Sequence, residues 1–228
     1  GSWLSYAAYT DPGHGIITTL NTTWTVPSNP KSNWGSNAPG WWFGIQTAAG
    51  DGALIQPILA WGYQGAKWSI FNACFDWTDG SWRTSDDIYT VSPGDKITSG
   101  ITYQGKGTYV MTISANGQTI TTPYTLESGQ TKNESTAYFV LEHQPSNCKA
   151  YPSDGSMSFD NIYLEVDNKQ VKPTWSANQE QPACNSKCKI VDDKTITFTW
   201  DPSTTENQPQ PPLPAKWGFG NAPSFRKD

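Results

Sequence analysis

The sequence is poor in charged residues, which make up only 15% of its 228 positions. Lysine and arginine together number 15 against 20 aspartates and glutamates, so the formal net charge is −5. No basic patch that could neutralise phosphate groups is visible, which argues against a nucleic-acid partner. No apolar run approaches the ~18 residues of a membrane-spanning helix, so no membrane partner is expected either.

Helical periodicity is also missing, because no stretch repeats its apolar residues every three to four positions. Instead, about ten short segments with strand-like patterns are separated by frequent turn residues. This pattern predicts an all-β fold, a two-sheet antiparallel β-sandwich of the jelly-roll, concanavalin-like type. Residues 1–200 are expected to form one domain and residues 201–228 a Pro-rich tail, which Trp217 and Phe219 would pin to the body.

Cysteine and histidine are scarce, with four of the former and two of the latter. Four cysteines allow three pairings, and we favour Cys74–Cys148 together with Cys184–Cys188, which would imply an oxidising compartment. Cys184 and Cys188 could alternatively be half of a metal site, but no second cysteine pair stands at metal spacing. We therefore expect no metal and no cofactor. The low charge, many Trp, Thr, Ser, Gly and Asn residues and two glycosylation sequons favour a secreted, extracellular protein.

The segment from Trp41 to Trp61 predicts a β-hairpin, because two apolar runs flank a turn rich in Gly, Ala and Asp. Strand alternation puts Leu54, Gln56, Ile58 and Ala60 on one face. A glutamine on an otherwise apolar face must find hydrogen-bond partners or lose free energy. Gln56 is therefore either a core amide bonded to nearby backbone or a donor positioned for a substrate.

The segment from Ala137 to His143 is a second strand-like run, and a carboxylate stands near its end. Alternation places Tyr138, Val140 and Glu142 on one face and His143 on the other. By itself, Glu142 has the pattern of an ordinary residue at a strand end.

Taken together, the two segments resemble the glutamic peptidases of the eqolisin family, peptidase family G1. The catalytic Gln of that family lies in a motif like Ile-Leu-Gln and its catalytic Glu in a motif like Trp-Ile-Val-Glu. The matching residues here are Gln56, which follows Leu54-Ile55, and Glu142, which follows Phe139-Val140-Leu141. Three further motifs match in the same order: Trp24-Thr25-Val26-Pro27, Trp42-Phe43-Gly44-Ile45 and Tyr89-Thr90-Val91-Ser92-Pro93-Gly94-Asp95.

The sequence departs from the family pattern at positions that are usually polar. Gln46 stands where the family often has an Asp after Gly-Ile. In the next strand, Ile70 replaces an acidic residue and Asn72 replaces a Tyr in a Trp-Tyr-Glu-Trp-Tyr-like run that begins here at Trp68. The dyad is therefore present while its usual surroundings differ.

The resemblance implies an acid endopeptidase that acts on a polypeptide substrate, and we expect the protein to be a monomer. Glu142 would take a proton from water, and the amide of Gln56 would donate a hydrogen bond to the oxyanion. Trp42 and Trp68 would line the substrate site.

Two other functions are compatible with the composition. One is a non-catalytic module that binds polysaccharide or protein, with a platform of Trp41, Trp61, Trp68, Trp77 and Trp82, although most of these residues are expected in the core. The other is a glycoside hydrolase, which would need two facing carboxylates from among Glu142, Glu165 and Asp76.

Overall fold

The computed structural model describes residues 3–31, 39–142, 148–179 and 183–204. These ranges contain sixteen β-strands and no α-helix, so the predicted all-β class is confirmed. The strands are β1 Trp3–Thr10, β2 Ile17–Thr25, β3 Gly40–Thr47, β4 Ala53–Gly62, β5 Gly65–Asp76, β6 Ser81–Thr84, β7 Tyr89–Val91, β8 Lys96–Gly105, β9 Thr108–Ala115, β10 Gln118–Thr125, β11 Glu134–Glu142, β12 Ser156–Val166, β13 Lys169–Val171, β14 Ser176–Gln179, β15 Lys187–Asp192 and β16 Thr195–Thr199. Two short 3₁₀ turns cover Cys148–Ala150 and Ala183–Asn185.

The strands form two antiparallel sheets of eight strands each. The first sheet has the order β14-β1-β11-β3-β4-β5-β6, with β7 also paired to β5. The second has the order β10-β9-β8-β2-β12-β16-β15, with β13 also paired to β12. The neighbours β11, β3 and β4 bring the two segments of the suspected dyad into the same sheet, although about seventy residues of sequence separate β4 from β11.

Turn chemistry explains the local hairpins. Asn116 and Gly117 join β9 to β10, and both have positive φ angles, 53° and 78°. That conformation suits a two-residue turn whose twist matches the flanking strands, and Asn-Gly adopts it readily. The predicted hairpin of β3 and β4 is also present, with Trp42 opposite Ile58 and Ile45 opposite Ile55.

Apolar side chains form two separate clusters. The larger one fills the space between the sheets and draws on strands from both, for example Phe43 and Ile55 from the first sheet and Ile101 and Phe159 from the second. The smaller one belongs to the first sheet alone and lies on its opposite side, which we call the outer face. Its buried members are Trp3, Tyr6, Trp42, Leu54, Ile58, Ala60, Phe71, Ala73, Phe75, Tyr138 and Val140.

Two expectations about the fold need correction. The sequence pattern predicts about ten strands, whereas the described residues form sixteen. The pattern misses short strands such as β6, β7, β13 and β14, because they have too few residues for alternation to be recognised. The favoured disulfide pairing is wrong, because Cys148 bonds to Cys184 and leaves Cys74 and Cys188 as free thiols. Cys74 is buried in the core between the sheets, where it has no cysteine partner. The C-terminal tail from residue 205 onward lies outside the described residues.

Candidate active site

Gln56 lies in the middle of β4, on the outer face of the first sheet. Its same-face neighbours Leu54, Ile58 and Ala60 all belong to the outer cluster, so the alternation expected from the sequence is present. The residue is only 2% exposed. Its amide makes no hydrogen bond within the described part of the chain. The amide atoms are nevertheless not completely sealed from solvent. The structure therefore does not support the interpretation of Gln56 as a bonded core amide.

Gly44 makes room for the Gln56 side chain. Continuing the β3–β4 register places it opposite Gln56. An added Cβ would collide with the carbonyl oxygen of Ile55 and would lie 3.2 Å from the Trp42 ring and 3.3 Å from the Gln56 Cβ. A glycine is required here because the side chains on either side approach the backbone closely. Trp42 and Gln56 therefore pack directly over the Gly44 backbone.

Glu142 is the last residue of β11 and is 2% exposed. The indole nitrogen of Trp42 donates a 2.6 Å hydrogen bond to its Oε2 atom. Trp42 is itself fully buried and packs edge-on against Trp3, with ring centroids 5.0 Å apart. A donor held rigidly by aromatic packing fixes the orientation of the carboxylate that accepts its hydrogen bond.

Gln56 and Glu142 occupy the same face of the sheet, two strands apart. Glu142 lies opposite Gly40 on β3, whereas Gln56 lies at the level of Gly44. In a flat sheet an offset of about 13 Å along the strands and about 10 Å across them separates the two Cα atoms by about 16 Å. No hydrogen bond joins the two side chains in the described structure. Trp42 fills part of the space between them.

A third polar side chain on this face, Gln46, stands two residues beyond Gly44 on β3. It is 2% exposed, and its Nε2 atom is buried without a hydrogen-bond partner among the described residues. The sequence marks Gln46 only as a departure from the family pattern. The Gln46 Nε2 atom is sealed from solvent, whereas the Gln56 amide is not, and neither amide has a hydrogen-bond partner among the described residues.

Comparison with known proteins identifies the family. A profile of the Peptidase A4 family matches residues 5–200. The chain belongs to the Peptidase A4 family. The eqolisin resemblance is therefore confirmed, and the protein is a hydrolase of the peptidase class. No curated protein sequence matches the chain.

Solved structures agree with this assignment at the level of the fold. Scytalido-glutamic peptidase with a transition-state analogue inhibitor shares 20% identity and a TM-score of 0.61, over 87% of this chain and 98% of that one. SCP-B, an eqolisin in complex with the tripeptide Ala-Ile-His, shares 20% identity and a TM-score of 0.60 over the same fractions. Aspergilloglutamic peptidase from Aspergillus niger shares 17% identity and a TM-score of 0.52, over 72% of this chain and 98% of that one.

In this A4 peptidase, Trp68 does not lie on the face that carries Gln56. It is 1% exposed in the core between the sheets, where its ring packs against those of Trp41 and Trp61. The prediction that Trp68 contacts substrate is not supported, because even-numbered positions of β5 point inward. Trp42 remains on the outer face, as a partner of Glu142.

Ile70 and Asn72, two of the positions that depart from the family pattern, also point toward the second sheet. Ile70 belongs to the core cluster. The amide nitrogen of Asn72 lies 3.3 Å from the carbonyl oxygens of Met111 and Ile120 and 3.1 Å from Thr122 Oγ1. Asn72 thus connects the two sheets, and neither residue alters the outer face directly.

The structure argues against both rival functions of this A4 peptidase. Glu142 lies on the outer face of the first sheet, whereas Asp76 accepts a hydrogen bond from Tyr124 at the interior side. Glu165 is on the outside of the second sheet, bonded to Thr19 and Tyr163. These three carboxylates therefore form no facing pair of the kind that a glycoside hydrolase needs.

The tryptophan platform of a sugar-binding module is not formed. Trp41, Trp61 and Trp68 are buried between the sheets. Trp77 and Trp82 pack against the outer cluster instead. Five rings divided between two opposite faces cannot present one stacking surface.

The β3–β4 turn of this peptidase borders a cavity of about 590 Å³. Gly52, Trp77, Gln130 and Lys132 are among the lining residues. Behind the cavity, Gln130 donates a 2.8 Å hydrogen bond to Glu134 Oε1, while Glu134 Oε2 is buried without a partner in the described structure. Burial raises the pKa of the Glu134 carboxyl well above its usual range. Sequence reasoning missed this residue because strand alternation does not reveal its complete burial.

Two further observations concern metals and membranes. Across the described ranges, no group of three or more His, Cys, Asp or Glu residues is placed to hold a metal ion. The same residues include no helix that is long and apolar enough to cross a bilayer.

Proposed function

We propose that the protein is a secreted acid endopeptidase in which Gln56 and Glu142 act on one peptide bond. The observation that carries this proposal is the arrangement of polar side chains on the outer face of the first sheet. On a sheet face lined by aromatic and aliphatic side chains, Gln56 has an amide with no protein partner, and Glu142 has a carboxylate oriented by Trp42. The Gln56 amide keeps contact with solvent, so a substrate bound on this face can reach it.

The reaction proceeds by activation of water. Ionised Glu142 accepts a proton from a water molecule, whose oxygen forms a bond to the carbonyl carbon of the scissile peptide. The carbonyl π electrons move to oxygen, and the Gln56 amide donates a hydrogen bond to the resulting oxyanion. Protonated Glu142 then gives its proton to the departing amine as the C–N bond breaks. The carboxylate is regenerated, and the products are a carboxylic acid and an amine.

The spacing of the two residues supports a bond held between them. Because side chains stand roughly perpendicular to a sheet, Gln56 and Glu142, each about 4–5 Å long, must lean toward each other along the outer face to reduce the separation of about 16 Å between their Cα atoms to about 7 Å between their polar ends. A tetrahedral carbon that forms a hydrogen bond of about 2.7 Å through each of two oxygens fills about the same distance. Gln56 and Glu142 would then contact the same substrate group from opposite sides without contacting each other.

Two further observations support secretion and an acidic working pH. The Cys148–Cys184 disulfide is typical of proteins that fold in oxidising compartments. Glu134 is fully buried with a raised pKa, so the folded state is favoured where this carboxyl is protonated.

The test is digestion of a denatured protein from about pH 2 to about pH 6, a range that brackets the ordinary pKa of a glutamate. Wild type should cleave the substrate, and Glu142→Gln should not, although its circular dichroism spectrum stays that of a folded β protein. Glu165→Gln serves as the control, because Glu165 lies on the outside of the second sheet, away from the dyad. A folded wild type that leaves every peptide intact across this range would overturn the proposal.

A further inference from the structure

Gln46 is an unexplained polar group beside the proposed dyad. Its Nε2 atom is buried without a hydrogen-bond partner in the described ranges, although the residue is only 2% exposed. A side-chain amide has two donors and an acceptor with two lone pairs, and a folded protein usually satisfies them. A structural amide would be bonded, as Asn72 is through its nitrogen on the other face of the sheet.

The register places Gln46 within reach of the same space as Gln56. Gln46 pairs with Thr136 on β11, and the β3–β4 register puts it opposite Leu54. It is therefore the diagonal neighbour of Gln56, at about 7–8 Å between Cα atoms. Gly44, the next same-face residue on β3, has no side chain to separate the amides. The Thr136 hydroxyl is paired with Thr10 Oγ1, 2.8 Å away, so Thr136 already has a partner of its own.

We propose that Gln46 is a substrate-binding residue that pairs with a main-chain peptide group next to the scissile bond, on the side of Gln56 away from Glu142. This inference rests on the proposed peptidase function. One amide can donate to a peptide C=O and accept from a peptide N–H at the same time. A carboxylate in this place could only accept. The neutral amide therefore binds the substrate backbone without favouring a charged side chain.

The order of the polar side chains along the outer face agrees with this assignment. From Glu142 the outer face runs along β3 through Trp42 and Gly44 to Gln46, and then reaches the turn that borders the cavity of about 590 Å³. An extended peptide bound along this line meets Glu142 first, Gln56 second and Gln46 third.

The first experiment compares wild type with Gln46→Met, which keeps the length of the side chain and removes the amide. Because no protein hydrogen bond is lost, the variant should unfold at the same temperature as wild type or higher. KM for a peptide substrate should rise about tenfold with kcat little changed, as expected when binding common to ground and transition states is removed. Gln118→Met, on an exposed position of β10, is the matched control and should change neither constant.

The second experiment identifies the substrate atom. Ester bonds replace single peptide bonds of the substrate, one at a time on each side of the scissile bond, so that each ester removes one N–H. At one position the ester should weaken binding to wild type but not to Gln46→Met. An unchanged KM in Gln46→Met for all substrates, or an ester scan without any position of this kind, would overturn the inference. So would a loss of stability in Gln46→Met, since a structural amide predicts it.

A binding measurement separates failure of this inference from failure of the peptidase proposal. Calorimetry follows an uncleaved peptide binding to Glu142→Gln and to the double variant Glu142→Gln/Gln46→Met. If wild type does not cleave but Glu142→Gln binds peptide more tightly than the double variant, the catalytic proposal is wrong and the role of Gln46 is upheld. Equal affinities would contradict the role of Gln46, and absence of peptide binding to either protein would overturn both proposals.

Discussion

The indole N–H of Trp42 donates a 2.6 Å hydrogen bond to Glu142, and both residues are buried on the outer face of the first sheet. The two residues belong to neighbouring strands, and Glu142 pairs not with Trp42 but with Gly40, two positions away. The contact therefore depends on the indole ring reaching along the sheet. The proposed general base is held by a side chain whose own position is set by packing against Trp3.

Trp42→Phe should lower kcat without preventing folding. Phenylalanine keeps an aromatic ring against Trp3 but has no N–H for Glu142. Loss of one hydrogen bond to a charged group should reduce kcat about 10–100-fold, because the carboxylate loses the donor that orients it. Trp82→Phe is the control, because the Trp82 indole nitrogen has no hydrogen-bond partner in the described structure. Equal kcat values for wild type and Trp42→Phe would show that this hydrogen bond does not position the base.

Gln56→Met should abolish most of the activity at little cost in stability. The variant removes the proposed oxyanion donor, and one such donor typically contributes a factor of about 10²–10³ in rate. The Gln56 amide has no hydrogen-bond partner in the described structure, so no protein group is left unpaired. Steady-state kinetics and thermal unfolding of the same preparation test both halves of this expectation. A stable variant with wild-type kcat would exclude Gln56 from the reaction.

Asn72→Leu should lower the stability of the protein and leave its activity nearly unchanged. Asn72 is fully buried and its amide nitrogen lies within hydrogen-bond distance of Met111 and Ile120 carbonyl oxygens in the second sheet. Its removal takes away the donor that joins the two sheets at this point and should lower the free energy of unfolding by about 1–3 kcal/mol. Urea unfolding measures that change, and kcat per folded molecule should stay near that of wild type. Loss of kcat in a fully folded variant would instead connect Asn72 to the chemistry.

Glu134 should make the fold less stable as pH rises. Burial raises its pKa in the folded state, and the nearby Asp76 and Asp51 carboxylates raise it further, although the hydrogen bond from Gln130 lowers it. The contribution of Glu134 is fully present below its unfolded pKa, near 4.5, and is lost as pH rises through the folded pKa. Glu134→Gln cannot ionise, so its free energy of unfolding should decline less between pH 4 and pH 7.

The comparison between wild type and Glu134→Gln isolates this one group. Burial alone would raise the pKa of Asp51, but its hydrogen bonds with Lys132 and Thr47 produce a net lowering and therefore the opposite pH dependence. Asp51 is present in both proteins, so its own pH dependence enters both curves. Urea unfolding at several pH values gives the two curves. Parallel curves would mean that Glu134 stays ionised in the folded protein, contrary to its burial.

Peptide mapping under non-reducing conditions should recover Cys148 linked to Cys184, with free thiols at Cys74 and Cys188. The two bonded cysteines are 36 residues apart. Closing a loop of that length stabilises the folded state by about 3–4 kcal/mol in the chain-entropy account. Cys148→Ala/Cys184→Ala should therefore unfold at lower temperature, whereas Cys188→Ala, which breaks no bond, should not. A Cys74–Cys148 peptide in the map would contradict the structure.

Much of the site could be inferred from the sequence because a β-strand has a period of two residues. Alternation in β4 and β11 identifies Gln56 and Glu142 as polar exceptions and predicts which neighbours share their faces. The Gly/Ala/Asp turn predicts the hairpin, and the order of the motifs indicates the family. Each of these features depends on a few consecutive residues, so local chemistry is sufficient to reveal it.

Only the tertiary structure decides which face of each strand meets the other sheet and which distant strands become neighbours. The sequence treats Trp42 and Trp68 alike, yet Trp42 orients Glu142 and Trp68 fills the core. It likewise cannot show that Gln46 and Gln56 lack partners while Asn72 is bonded across the sheets, or that Cys148 meets Cys184. Both faces of a strand show the same two-residue period, so the pattern alone does not reveal which face meets the other sheet. The pairing of strands that lie far apart in sequence is fixed by long-range packing.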